Sequence, residues 1–167
     1  MRHLYLAHPF AVRRGIRAME LWVEMTTDVT LVNPFYDLER DDMAILDSPE
    51  NSGKRTIGNF KALVRRDLEA LSKCDGVVCV VPDGVAPIGT ICEAWEATSM
   101  LMPIYFICGP ESSVHPWILW MAYKTGGAIF LTWEEFQVSL LSLEHQRWLS
   151  QIHNTAWESA VREGIDG

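Results

Sequence analysis

The chain has 167 residues, 49% hydrophobic and 22% charged, enough for one folded domain with its own core. Its formal net charge of -8 argues against attachment to nucleic acid polymers or anionic membranes, which need a basic surface; a local arginine cluster can still hold a small anion. The first residues, MRHLYLAHPF, run straight into a strand without a long apolar leader, and no run reaches the roughly 18 apolar residues of a membrane span. A soluble, cytoplasmic protein is expected.

Taken in order, HLYLA (3–7) is short, apolar and bounded by His8-Pro9, and predicts a first strand. Residues 12–27 place Ile16, Met19, Trp22, Val23 and Met25 at amphipathic helical spacing, with Gly15 weakening the start. VTLVNP (29–34) predicts a second strand that Asn-Pro stops. Residues 35–55 hold no period and read either as a lid or binding loop or as a disordered surface insertion. Helical spacing returns over 56–73 with Ile57, Phe60, Leu63, Val64, Leu68 and Leu71.

DGVVCVV (75–81) is nearly all apolar, as a central parallel strand buried on both faces should be. A helix over 89–101 follows, then a strand PIYFIC (103–108) ended by Gly109-Pro110. A helix near 114–125, a strand AIFL (128–131) and a helical C-terminal segment over 133–167 complete the single domain. Strand and helix alternate throughout. The predicted fold is therefore α/β, a doubly wound five-stranded parallel sheet of flavodoxin-like or Rossmann-like type with a helical C-terminal extension. Ligands of such sheets sit beyond the carboxyl ends of the strands, which draws attention to His8, Phe10, Asn33 and Asp83.

Cys74, Cys79, Cys92 and Cys108 form no C-x-x-C pair, and Cys79 and Cys108 fall in predicted core strands. The five histidines lack ligand spacing, and there is no phosphate-binding or dinucleotide fingerprint. No metal and no cofactor is expected.

The residues with chemical potential cluster around the central strand. Glu93, three after Thr90 and placed by this reading in the first turn of its helix, is either a reactive carboxylate or the glutamate of a capping box. Gly89 permits close approach of a ligand, and Thr90 can cap. Asp67, Asp83 and Glu93 are expected to converge on one pocket, although each alone reads more readily as a surface charge. Tyr5, on the neighbouring strand, either holds a carboxylate in place or is a core tyrosine. Arg13 and Arg17 share a helix face beside the His8-Pro9 loop, with Arg14 between them. They form either a phosphate site or a solvated face.

LYLAHPF, RRDLEALSKCDGVVCVVPDG and GTICEAWEA together resemble the nucleoside 2-deoxyribosyltransferase family over roughly the first two-thirds of the chain. That family shows D-L-x-x-L-x-x-x-D-x-V-V before its central strand and G-T-x-x-E-x-G-x-A after it. The resemblance implies Glu93 as nucleophile, Asp67 as the carboxyl group that meets the base, Tyr5 as the residue positioning the nucleophile, and Asp83 on the base side. It implies a nucleoside or nucleotide as the small-molecule partner, and a homo-oligomer, at least a dimer. The tryptophans at 117, 120, 133, 148 and 157 suit such an interface. Two positions depart from the pattern: Pro87-Ile88 stands where an aspartate is usual, and Trp95 replaces a glycine.

Similar deoxynucleoside 5'-monophosphate N-glycosidases pass the sugar to water and grip a phosphate, for which Arg13, Arg14 and Arg17 are placed. PDGVAPIGTICE also resembles, more loosely, the P-G-G-x-G-T-x-x-E motif of phosphoribohydrolases. All these expectations share cleavage of an N-glycosidic bond. A nucleotide sensor of the same fold without turnover is the competing class.

Overall fold

The computed structural model describes residues 2–36 and 57–142. The expected loop at 35–55, apart from its first two residues, and the C-terminal stretch from 143, with Trp148 and Trp157, lie outside the described residues.

The elements run β1 (Arg2–Ala7), a 3-10 turn (Phe10–Val12), α1 (Arg13–Thr26), β2 (Val29–Val32), α2 (Ile57–Leu71), β3 (Gly76–Val81), α3 (Ile88–Ser99), β4 (Ile104–Cys108), a short α4 (Pro110–Ser113), α5 (Pro116–Thr125) and β5 (Ala128–Phe130). A further helix, α6, covers 133–142. The sheet is parallel throughout, in the order β2-β1-β3-β4-β5. The direction of winding reverses between β1 and β3, the crevice where doubly wound sheets bind ligands.

The strands are apolar because both faces are covered. All six residues of β3 are buried. Val77, Cys79 and Val81 meet Leu71 of α2, Ala94 and Ala97 of α3, and Ile118 and Met121 of α5. Val78 and Val80 point the other way, toward Ile16 and Val23 of α1 and Phe136 and Leu140 of α6. The two clusters are the two faces of one pleated sheet. At Gly127 an added Cβ would collide with the Ile104 carbonyl, so only glycine lets the chain pass from α5 into β5.

Two boundaries differ from the expectation. α4 was read as a strand stop, because Gly109-Pro110 is a breaker signal; proline is equally at home in the first turn of a helix, and that is its use here. α3 begins at Ile88, with Pro87 at the cap position and its carbonyl accepting the Ile91 N–H at 2.9 Å. Glu93 is thus in the second turn rather than the first. Thr90 is inside the helix rather than capping it, and the capping box is not formed.

Candidate active site

The side chains that meet at the β1/β3 crevice come from four separate elements. Tyr5 is fully buried in β1, and its register partner in β3 is Val77. Its hydroxyl donates to Glu93 Oε1 at 2.7 Å, across 88 residues of sequence. The small residues Ala94 and Ala97 let α3 lie close to the sheet, which brings the Glu93 carboxylate within reach of Tyr5. Burial pushes the Cys79 thiol well above its usual value, with the neighbouring Glu93 carboxylate and Cys108 adding to the effect. Burial, then the Asp83 charge, pushes Cys108 up to about 12. Both thiols stay protonated at neutral pH, so neither competes with the carboxylate as a nucleophile.

Glu93 opens into a cavity of about 500 Å³, within the range of small-molecule sites. Asp67 of α2 shares its lining, as do Gly89 and Thr90. His8, Phe10 and Phe35 also line it. Phe35 lies 4.8 Å from the His8 ring and 5.6 Å from Phe10, centroid to centroid, an aromatic corner suited to the face of a planar ligand. Thr90 is 2% exposed, and its Oγ1 has no hydrogen-bond partner among the described residues. A buried hydroxyl left in this state is disfavoured, and a ligand hydroxyl or bound water in the cavity would satisfy it.

Seven of the expected site residues therefore surround one cavity: Tyr5 through its bond to Glu93, and His8, Phe10, Asp67, Gly89, Thr90 and Glu93 along its lining. Three take other places. Asp83 is not in the lining. Its carboxylate accepts from the Glu111 and Ser112 N–H groups, at 3.2 and 3.0 Å, and from the Ser112 hydroxyl at 2.9 Å. Desolvation alone would raise this carboxyl, but those three donors carry it below its usual value. An added Cβ at Gly109 would strike the same carboxylate, so glycine makes room for the cap of α4.

Arg13 donates to the Phe10 carbonyl at 3.0 Å and lies 3.7 Å over the Phe10 ring. Arg17 pairs with Glu20 and lies over Tyr36. Neither is among the described residues that line the cavity. Phe35 stands out in the sequence by its place just after β2, whereas sequence reasoning missed Glu20 and Leu63, the latter part of the cavity lining. For Glu20 a signal existed, since it stands between Ile16 and Val23 on the stripe that faces the sheet.

Among the described residues no group of three metal-ligating side chains converges, and no helix is long and apolar enough to cross a membrane.

Tyr5→Phe is expected to keep the fold, because the ring remains, and to lose about tenfold or more in kcat/KM. A hydrogen bond to a charged group contributes about 1.5–3 kcal/mol. Matched thermal melts and steady-state kinetics check this, and an unchanged kcat/KM would leave Tyr5 as core packing alone.

Comparison with known proteins found likeness in three-dimensional structure only. A 2-deoxyribosyltransferase of Bacillus psychrosaccharolyticus superposes with a TM-score of 0.59 at 17% identity, over 81% of this chain and 90% of that one. A conserved protein of Enterococcus faecalis V583 has the same TM-score at 12% identity, over 85% and 98%. A CMP N-glycosidase of Clostridium botulinum has a TM-score of 0.47 at 17% identity, over 83% and 98%. No protein-family model matches the sequence, and no curated protein matches it significantly. At these identities the likeness establishes the doubly wound α/β fold.

Proposed function

We propose that the protein is a nucleoside 2-deoxyribosyltransferase-like enzyme that cleaves the N-glycosidic bond of a deoxynucleoside or its 5'-monophosphate. The observation that carries this reading is the Tyr5–Glu93 hydrogen bond at the mouth of a cavity that also holds Asp67. The resemblance carried by the G-T-x-x-E and D-L-x-x-L patterns, which include Glu93 and Asp67, supports these roles. The structural likeness to a 2-deoxyribosyltransferase agrees with it.

In this mechanism a Glu93 carboxylate oxygen attacks C1' of the sugar as the bond from C1' to the base nitrogen breaks. Asp67 gives its proton to the departing base. Tyr5 holds the attacking carboxylate in one orientation, so that little reorganisation is needed at the moment of reaction. The glycosyl ester then passes its sugar to a second base, which restores the Glu93 carboxylate, or to water with the same result. The aromatic corner of His8, Phe10 and Phe35 receives the flat base, and Thr90 Oγ1 a sugar hydroxyl.

A panel of deoxynucleosides and their 5'-monophosphates, incubated with and without an acceptor base, tests the reading. Exchanged base is expected. Base released only to water would make the protein an N-glycosidase, and a monophosphate preference would give Arg13 and Arg17 a phosphate role. Binding without turnover would make it a nucleotide sensor and overturn the enzymatic reading.

The same reading has the protein working in the cytoplasm as a homo-oligomer. Trp95, Trp117 and Trp120 touch one another with ring centroids 5.7–6.0 Å apart and remain 51%, 56% and 40% exposed. Three large rings clustered and half open to water, on helices α3 and α5, are suited to burial against a second copy. A dimer or larger species is expected in sedimentation at micromolar concentration, with Trp117→Glu shifting it toward monomer. A wild-type monomer would refute the assembly.

A further inference from the structure

At the carboxyl ends of β1 and β2 lies a polar chain that the chemistry above leaves unused. Glu20 is fully buried on α1. Its Oε1 accepts from Arg17 Nη1, and its Oε2 accepts from Asn33 Nδ2 at 2.6 Å. Asn33 Oδ1 accepts the Phe35 N–H at 3.0 Å. A backbone N–H only donates and a carboxylate only accepts, so these two contacts fix which end of the amide is oxygen. His8 Nε2 lies 3.3 Å from that oxygen, and His8 Nδ1 lies 3.2 Å from the Pro9 carbonyl oxygen.

Both ring nitrogens of His8 thus face acceptors. A neutral imidazole has one N–H and one lone pair, so one contact would set lone pair against lone pair. An imidazolium donates to both. His8 is 4% exposed, so little water reaches the ring to relieve the conflict. Among the described residues, Asp67 and Glu93 share the cavity lining with His8, Tyr5 bonds to Glu93, Glu20 reaches His8 through Asn33, Arg17 pairs with Glu20 and lies over Tyr36, and Arg13 bonds the Phe10 carbonyl. Acceptors facing both ring nitrogens favour the doubly protonated form.

We propose that His8 is a doubly protonated, positively charged positioning residue. It ties the Pro9–Phe10 wall of the cavity to the Asn33–Glu20 pair and sets a positive charge on the lining it shares with the Glu93 carboxylate. Loss of one proton turns one of its two contacts repulsive and frees that wall. The charge state is independent of the reaction; the kinetic consequence rests on the glycosyl-transfer reading.

Ring-nitrogen NMR of the full ¹⁵N-labelled chain tests the proposal, with His8→Gln identifying the His8 signals. At pH 7.5 an unperturbed histidine is about nine-tenths neutral. His8 is expected to show two protonated nitrogens there, and to lose the second in Glu20→Gln. One unprotonated nitrogen in wild-type His8 at that pH overturns the proposal, whether or not Glu20→Gln folds and whether or not the protein turns over nucleosides. In the kinetic arm, kcat/KM should fall as pH rises through the midpoint seen by NMR, and this limb should vanish in His8→Gln. An identical alkaline limb in His8→Gln would refute the positioning role while leaving the glycosyl-transfer reading intact.

Discussion

Glu93→Ala is expected to reduce turnover by about a hundredfold or more while the protein stays folded. The side chain is only partly buried and sits mid-helix, where alanine is the best helix former, so the backbone of α3 has no reason to move. The effect falls on the reaction because no other described residue of the cavity lining is left to replace the carboxylate. The Cys79 and Cys108 thiols are held protonated by burial, and Asp67 is assigned to the leaving base. Glu93→Gln should lose activity to the same degree although it keeps an oxygen for the Tyr5 hydroxyl, which separates nucleophilicity from hydrogen bonding. Comparable turnover in a folded Glu93→Gln protein would remove Glu93 from the chemistry.

Phe106→Ala should lower the stability of the fold by about 3–5 kcal/mol. Phe106 is fully buried in β4, paired with Cys79 of β3 on one side and Ile129 of β5 on the other. It belongs to the cluster beneath α3 and α5, so truncation leaves a hole below the helix that carries Glu93. A loss of this size should lower Tm by about 10 °C or more. Chemical or thermal denaturation measures it; a cost under about 1 kcal/mol would mean that the sheet and its helices collapse around the gap.

The sheet was legible because its strands are apolar for a simple physical reason. A strand covered on both faces needs no alternation, and GVVCVV has none. The pairing of Tyr5 with Glu93 was foreseeable in outline, since a tyrosine on β1 and a carboxylate just past β3 must approach one another if those strands are neighbours. The start of α3 was read a residue late, because Pro87 gives no capping signal while Gly89-Thr90 gives a strong false one. The roles of Asp83 and of the His8–Asn33–Glu20 chain depend on contacts between elements distant in sequence, which no local spacing encodes. Asp83 meets Ser112 only because β3 and β4 end side by side, and Asn33 meets His8 only because β1 and β2 are in register. Arg13 and Arg17 were read from their spacing, but the direction of their side chains is set by the Phe10 ring and by Glu20, one of which lies before the helix and the other on its buried face.

The central claim, sugar transfer through Glu93, is tested most directly by acid-quenching the protein during turnover of a deoxynucleoside and mapping the covalent product by peptide mass spectrometry. The account predicts a deoxyribosyl mass on the peptide carrying Glu93, absent from Glu93→Gln. A wild-type protein that releases base while its sugar adduct lies on another carboxylate, or a Glu93→Gln protein that forms the same adduct, would contradict it.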